Sequence, residues 1–320
     1  PSTPGSDKGS ILEALQSLEA GGSTAGGAGI QLAYSVAAEN YIEGGNNRVI
    51  LATDGDFNVG ASSDSEMIRL IEEKRNQGTF LTVLGFGTGN LQDSKMEQIA
   101  DHGNGNFSYI DSAFEAKKVL VTEMGGTLLT IAKDVKLQVE FNPKKVSAYR
   151  LIGYENRLLA AEDFTDDTKD AGELGAGHSV TALYEIIPVG ADSPVNVPGL
   201  DSLRYQTTAT RPGTDGTDEL LFVKLRYKEP NEDTSKLMQL PVMDNIGPAS
   251  QDLRFASAVA AWGMLLRGSE YCADFDLNDV AKLAKRGLGD DEEGYRREFV
   301  QLVETAKTME LLEKEPGMGR

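Results

Sequence analysis

Apolar positions along the chain follow two different periods, and the change from one to the other comes near residue 134. In the first part they recur at helical spacing: Ile11, Leu12, Leu15 and Leu18, then Met67, Leu70 and Ile71, then Val119 and Leu120. Each set begins at a Ser-x-x-Glu pair: Ser10 with Glu13, Ser63 with Glu66, Ser112 with Glu115. That spacing fits a capping box, in which the Ser oxygen takes one free helix N–H and the acid reaches back for another. Gly21 and Gly78 supply the stops. Two more helices are expected over about 25–40 and 92–102. Between the helices lie short apolar runs, 49–52, 80–84 and 107–110, that read as fully buried strands. Strand and helix alternating in this order imply right-handed crossovers and a parallel sheet, so residues 1–132 are expected to be α/β.

From Asp134 the period becomes two. Val135, Leu137, Val139 and Phe141 alternate with polar residues, and Leu221, Val223, Leu225 and Tyr227 do so again. This is the pattern of half-buried antiparallel strands, and with loops rich in Asp, Gly and Pro it predicts a β-sandwich-like domain over 134–246. The remainder, 249–320, reads as a helical tail. Its apolar stripes are Phe255, Val259, Trp262 and Leu266, and then Tyr295, Phe299, Leu302, Val303 and Ala306. Stripes at this spacing are packing faces.

Charge narrows the range of partners. Fifty acidic against 31 basic residues give a formal charge of −19, which excludes a phosphate backbone as the natural ligand, because nucleic-acid binding depends on clustered Lys and Arg. Cations and basic surfaces suit it better. The single cysteine, Cys272, permits no internal disulfide and reads as a small buried hydrophobe. The longest apolar stretches, such as "ASAVAAWGMLL", fall short of the roughly 20 residues a membrane helix needs, so no transmembrane segment is expected. The first residue is Pro1 and a helical signal follows within a few positions, which reads as a chain cut from something longer.

Catalytic constellations are thin, and a non-enzymatic protein is expected. His102 and His178 stand in turn-like contexts without a nucleophile elbow. Asp274, Asp276 and Asn278 begin like a calcium loop, but the glycine at the sixth place and the acid at the twelfth are missing, and Asp276 reads as the cap of a helix starting near Leu277. "GFGTGN" at Gly85–Asn90, with Asp111 about twenty residues on, imitates a dinucleotide fingerprint and keeps an oxidoreductase open as a minor alternative. Asn90 stands where the third glycine belongs, and the motif sits on a late strand.

The more telling loops are those at the C-terminal ends of the strands, where open α/β sheets bind ligands. Asp54 and Asp56 follow the run 49–52, and the loop Gly21–Thr24 opens a helix that packs back on the sheet. A hydroxyl, Thr24, and a carboxylate, Asp54, are thereby expected to converge across thirty positions. They are groups a hard divalent cation takes, though only part of a full set. Each has a plainer role as well: Asp54–Gly55 as a turn pair, Thr24 as a helix cap, and Ser23 and Asp56 as loop hydrogen-bonders.

Four segments in order, "GGSTAGGAGI", "VILATDGDFNVG", "LTVLGFGTGN" and "GNFSYIDS", resemble the second half of a von Willebrand factor A (VWA) domain. Downstream, "LQVEFNPKKVSAYRLIGYENR" and "GAGHSVTALYEI" resemble the C-terminal region attached to it in bacterial YfbK-type proteins. The resemblance implies a fold class: a partial doubly wound, Rossmann-like parallel sheet, then the sandwich-like and helical regions. It also implies a metal-ion-dependent adhesion site, in which Thr24 and Asp54 hold Mg²⁺ (or Mn²⁺ or Ca²⁺) and the open position accepts a carboxylate from a protein partner. The Asp-x-Ser-x-Ser element of that pattern is absent from the sequence, since "SSDSE" at 62–66 has the wrong spacing. The first part of the domain is therefore expected upstream of Pro1, the metal to bind loosely to this chain alone, and the free sheet edge to favour self-association. The resemblance further implies a bacterial cell-envelope location, periplasmic or lipid-anchored. A structural envelope component with a vestigial metal site is the alternative.

Overall fold

A computed structural model of the chain describes residues 2–19, 26–54, 64–87, 91–154, 158–191, 218–230, 232–245, 247–272 and 275–309. Expectations placed on Gly21, Ser23, Thr24, Asp56, Ser63, Gly89 and Asn90 lie outside the described residues.

The three apolar runs form a parallel sheet. Strands β1 (Asn47–Thr53), β2 (Thr79–Phe86) and β3 (Phe107–Ile110) lie in the order β1-β2-β3. β1 pairs β2 from Asn47 with Thr79 to Thr53 with Gly85, and β2 pairs β3 from Val83 with Phe107 to Phe86 with Ile110. Three helices pack on it: α2 (Gly26–Glu39), α3 (Asp64–Asn76) and α4 (Asp93–His102). They bring Ile30, Tyr34, Ile71, Met96 and Ile99 into one core with Leu81 and Val83. Each aliphatic or Met side chain of this set withdrawn from water contributes about 1.5–3 kcal/mol. The turn from α4 into β3 is drawn tightly onto β2: the Leu81 N–H donates to the Gly103 carbonyl, and a Cβ on Gly105 would fall 1.7 Å from the Leu81 oxygen.

At the start of the chain, Ser10 does not cap its helix. Helix α1 (Lys8–Gln16) begins earlier, and the Asp7 carboxylate accepts the Ser10 N–H at 3.2 Å and its hydroxyl at 2.8 Å. Asp is as strong an N-cap as Ser, and it precedes Ser10 by three positions. The stripe of α1 is also not a packing face here, since no residue of the helix is buried and Leu12, Leu15 and, just beyond it, Leu18 are exposed. Ser112 does cap α5 (Ala113–Lys117), accepting the Glu115 N–H. The Glu115 carboxylate pairs with Lys118. A π-helical turn over Lys118–Thr122 follows, burying Val119 and leaving Leu120 exposed, and α6 (Met124–Leu128) ends this part.

The next strands are β4 (Thr130–Phe141), β5 (Val146–Ile152), β6 (Gly172–Gly175), β7 (Leu183–Pro188), β8 (Glu219–Lys228) and β9 (Lys236–Met243). They form a four-stranded sheet of order β6-β4-β8-β9 and an antiparallel pair, β5 with β7. The alternation read along β4 fails at one point: Leu137 is exposed while Lys136 is buried. The strand carries register shifts between Thr130 and Ala132 and between Ala132 and Val135, and Asp134 adopts φ +51°. Irregular residues of this kind break the two-residue alternation of faces.

Helices α7 (Gln251–Leu266), α8 (Leu277–Arg286) and α9 (Tyr295–Thr308) share a core of Ala258, Ala261, Val280, Ala281, Ala284 and Val303. Val259, Leu266 and Leu302, read as stripe residues, are exposed. Alanines face the neighbouring helix instead, allowing a close approach: a Cβ on Gly287 would lie 2.6 Å from the Phe255 nitrogen. Asp276 caps α8 as expected, accepting the Asn278 and Asp279 N–H groups in a reciprocal box with Asp279.

Two compact units divide the chain, one comprising 1–136, 165–179 and 226–237, the other 137–164, 180–225 and 238–320. Among the described residues, no helix is long and apolar enough to cross a membrane.

Candidate metal centre

The C-terminal edge of the parallel sheet collects three chain ends. β1 runs through Thr53, buried and paired with Gly85, into the exposed Asp54. β2 runs through Phe86 into Gly87, whose φ of +82° suits a residue without Cβ. β3 ends at Ile110, opposite Phe86, and is followed by the exposed Asp111. Gly87 lies against Asp54: a Cβ built on it would stand 3.7 Å from the Asp54 carbonyl oxygen and 3.9 Å from its Cβ. The Tyr109 hydroxyl donates to the Gly87 carbonyl at 2.8 Å, tying the β2 and β3 ends together.

Chemically, this edge offers a hard, exposed carboxylate from a rigid strand end, beside a glycine that adds no side-chain bulk. Mg²⁺ uses one or two carboxylates and keeps several waters, so Asp54 fits as one ligand of such a site. Thr24, the other expected ligand, lies outside the described residues.

The opposite, N-terminal edge holds a cluster that the sequence reading missed. Carboxylate oxygens of Asp134, Asp170 and Glu173 all lie within 4.8 Å of one another. Lys228 donates to Asp134 at 2.6 Å, and Arg75, at the end of α3, donates to Asp170 at 2.6 Å. Arg48, near the start of β1, faces Glu173 and donates to the Thr82 hydroxyl. Burial, together with the charges of Asp170 and Asp134, pushes the Glu173 carboxyl up to about 8. Burial raises Asp170 as well, against the pull of Arg75. Two of the three carboxylates are thus already paired with protein cations, Asp134 with Lys228 and Asp170 with Arg75. Segments separated by 36 positions or more, such as Asp134 and Asp170, give no spacing signal for such a meeting. Only the acid density of "EDFTDDTKD" hinted at it.

The remaining candidates behave as structural groups. His102 places Nδ1 2.9 Å from the Glu72 carboxylate at the end of α4. Cys272 is buried, and desolvation pushes its thiol up, away from the reactive thiolate.

Comparison with known proteins bears on this geometry. The model "von Willebrand factor type A domain" matches residues 1–123, and the model "Uncharacterized protein YfbK, C-terminal" matches residues 126–309, more than half of the chain. The chain belongs to the YfbK family. This YfbK-type chain is 45% identical over 306 residues to "Uncharacterized protein YfbK" of Escherichia coli (strain K12), covering 96% of the chain and 52% of that protein. It thus spans about half the length of the curated relative it matches. Among solved structures, it is similar to BatB from Bacteroides thetaiotaomicron (23% identity, 37% of this chain and 68% of that one, TM-score 0.31). It is also similar to a von Willebrand factor type A protein from Catenulispora acidiphila (15% identity, 92% and 67%, TM-score 0.39). By its match to the von Willebrand factor type A model, the first part of the chain has the VWA-type α/β fold, and domains of that type are in general metal-dependent protein-interaction modules. The VWA match begins at residue 1, so the expected loss of the domain's first part gains no support from it.

Proposed function

We propose that this YfbK-type chain is a non-enzymatic, metal-ion-dependent protein-binding module. Asp54 and Thr24 supply oxygen ligands to Mg²⁺, or to Mn²⁺ or Ca²⁺, at the C-terminal edge of the sheet, and the ion's open position takes a carboxylate from a partner protein. The observation that carries this reading is the position of Asp54: exposed, directly after the buried Thr53 at the C-terminal end of β1, and beside Gly87.

The remaining ligands are expected from a segment that seats beside β1. That strand lies at the end of the described sheet order, with Ile50 exposed on it, and α1 presents Leu12 and Leu15 unburied. An unpaired strand with apolar flanks favours taking up another strand. The strand region that follows is read as sandwich-like, and the cell envelope is the location proposed for the whole protein.

Calorimetric titration of Mg²⁺ and Mn²⁺ tests the proposal, in this chain and in a form extended at its N-terminus. Binding that strengthens in the extended form and is lost in Asp54→Ala supports it. Equal binding with and without the Asp54 carboxylate rejects it.

A further inference from the structure

At the N-terminal edge of the sheet, the three clustered carboxylates are unequal. Asp134 has Lys228 at 2.6 Å and also accepts the Ala171 N–H at 3.1 Å. Asp170 has Arg75 at 2.6 Å, and Arg75 also reaches Asn104 at 3.4 Å. Glu173 has no such partner among the described residues: its Oε1 is buried without a hydrogen bond, and so is the Nε of the facing Arg48. An ionised Glu173 would therefore be a charge with a buried oxygen held beside two other carboxylates, opposed by Arg75, which already pairs with Asp170, and by Arg48, which already donates to Thr82. A neutral Glu173 carries an O–H, and carboxylate acceptors stand within 4.8 Å. Like charges at this separation do not all ionise together, and a half-buried carboxyl group with an unpartnered oxygen is the one that keeps its proton.

The backbone around the cluster is built to hold it. Asp134 sits at φ +51° in the irregular part of β4, a conformation that costs a non-glycine residue energy and persists only where its surroundings enforce it. β6, which bears Glu173, is four residues long and pairs with β4 at only three positions, Gly175, Leu174 and Gly172. Its strand pairing is short, so side-chain interactions, among them Arg75 with Asp170 and Asp134 with the Ala171 N–H, add to what secures it. The Ala176 N–H to Leu129 carbonyl bond at 2.8 Å closes its far end.

We propose that Asp134, Asp170 and Glu173 form a proton-dependent latch, in which neutral Glu173 fastens β6 and the loop before it to β4 and to the start of β1, and loss of that proton loosens them. Among the described residues, the charged groups facing Glu173 all belong to the device: Arg48 from β1, Arg75 from α3, Asp134 from β4, Asp170 from the preceding loop, and Lys228 from β8 through Asp134. A group whose carboxyl is raised to about 8 in the closed state, but ordinary once exposed, stabilises closure fully in acid. That stabilisation falls as pH rises from the usual Glu range, and stops falling above about 8. The segment is tied most firmly in acid and most loosely at mildly alkaline pH.

The test is amide hydrogen exchange across residues 171–176 of the full chain between pH 5 and 9.5, corrected for intrinsic exchange. In the natural protein, protection should fall about tenfold per pH unit up to neutral pH, the slope of one proton, and level off above about 8. Glu173→Gln, which keeps the shape and donor of the neutral acid, should flatten the slope. Asp170→Asn, which removes a neighbouring charge, should bring the plateau to lower pH. A flat profile in the natural protein overturns the latch, as does an unchanged slope in Glu173→Gln or an unmoved plateau in Asp170→Asn.

Discussion

Gly87 stands at φ +82° against the backbone of Asp54, with the site of its missing Cβ 3.7 Å from the Asp54 carbonyl oxygen. This contact sets the end of β2 beside the end of β1. It places the proposed metal ligand directly after the paired ends of β1 and β2.

Replacing Gly87 with alanine should cost about 1–2 kcal/mol of stability, because the left-handed backbone disfavours a Cβ while 3.7 Å is ordinary contact. Urea denaturation reads this directly. Gly105→Ala should cost more, about 3 kcal/mol, since its Cβ would stand 1.7 Å from the Leu81 oxygen and the α4–β3 turn must move off β2.

Burial separates two sets of helical leucine and isoleucine residues that look alike in the sequence. Ile71, fully buried against the sheet, should cost about 2–5 kcal/mol as alanine. Leu15→Ser on the exposed α1 should change stability by less than about 0.5 kcal/mol. If α1 is a contact for another polypeptide segment, the same change should reduce self-association, measured by sedimentation velocity at several concentrations.

Asp276→Ala should lower stability by about 1 kcal/mol through loss of the α8 cap, seen as a lower melting temperature at pH 7. Hydrogen bonds from Asn278 and Asp279 hold this carboxylate below its ordinary range. A depressed acid stabilises the fold above its unfolded value and loses that effect as pH falls through the folded one. The gap between variant and natural protein should therefore close only at strongly acidic pH.

Much of the parallel sheet was legible because each strand is an apolar run bounded by turn residues, and β1, β2 and β3 fall on the runs read at 49–52, 80–84 and 107–110. Caps were legible at Ser112 and Asp276, each directly before a helical run, and misread where Asp7 competed with Ser10. Faces were harder. The irregularity around Asp134 broke the alternation of β4, and α7 buries Ala258 and Ala261 where the bulkier Val259 and Leu266 drew the reading. Asp54 was found from its place after a strand, a local signal. The Asp134, Asp170 and Glu173 cluster left no more than a local density of acids in the sequence, because only the fold brings β4, β6 and the loop before β6 to one point.

The most direct measurement is paramagnetic broadening of backbone amide signals by substoichiometric Mn²⁺, which reports where on the chain the ion sits. The account predicts selective broadening at Thr53, Asp54, Gly87 and Asp111, reversed by excess Mg²⁺ and lost in Asp54→Ala. Broadening centred on Asp134, Asp170 and Glu173, or unchanged by the loss of the Asp54 carboxylate, would contradict it.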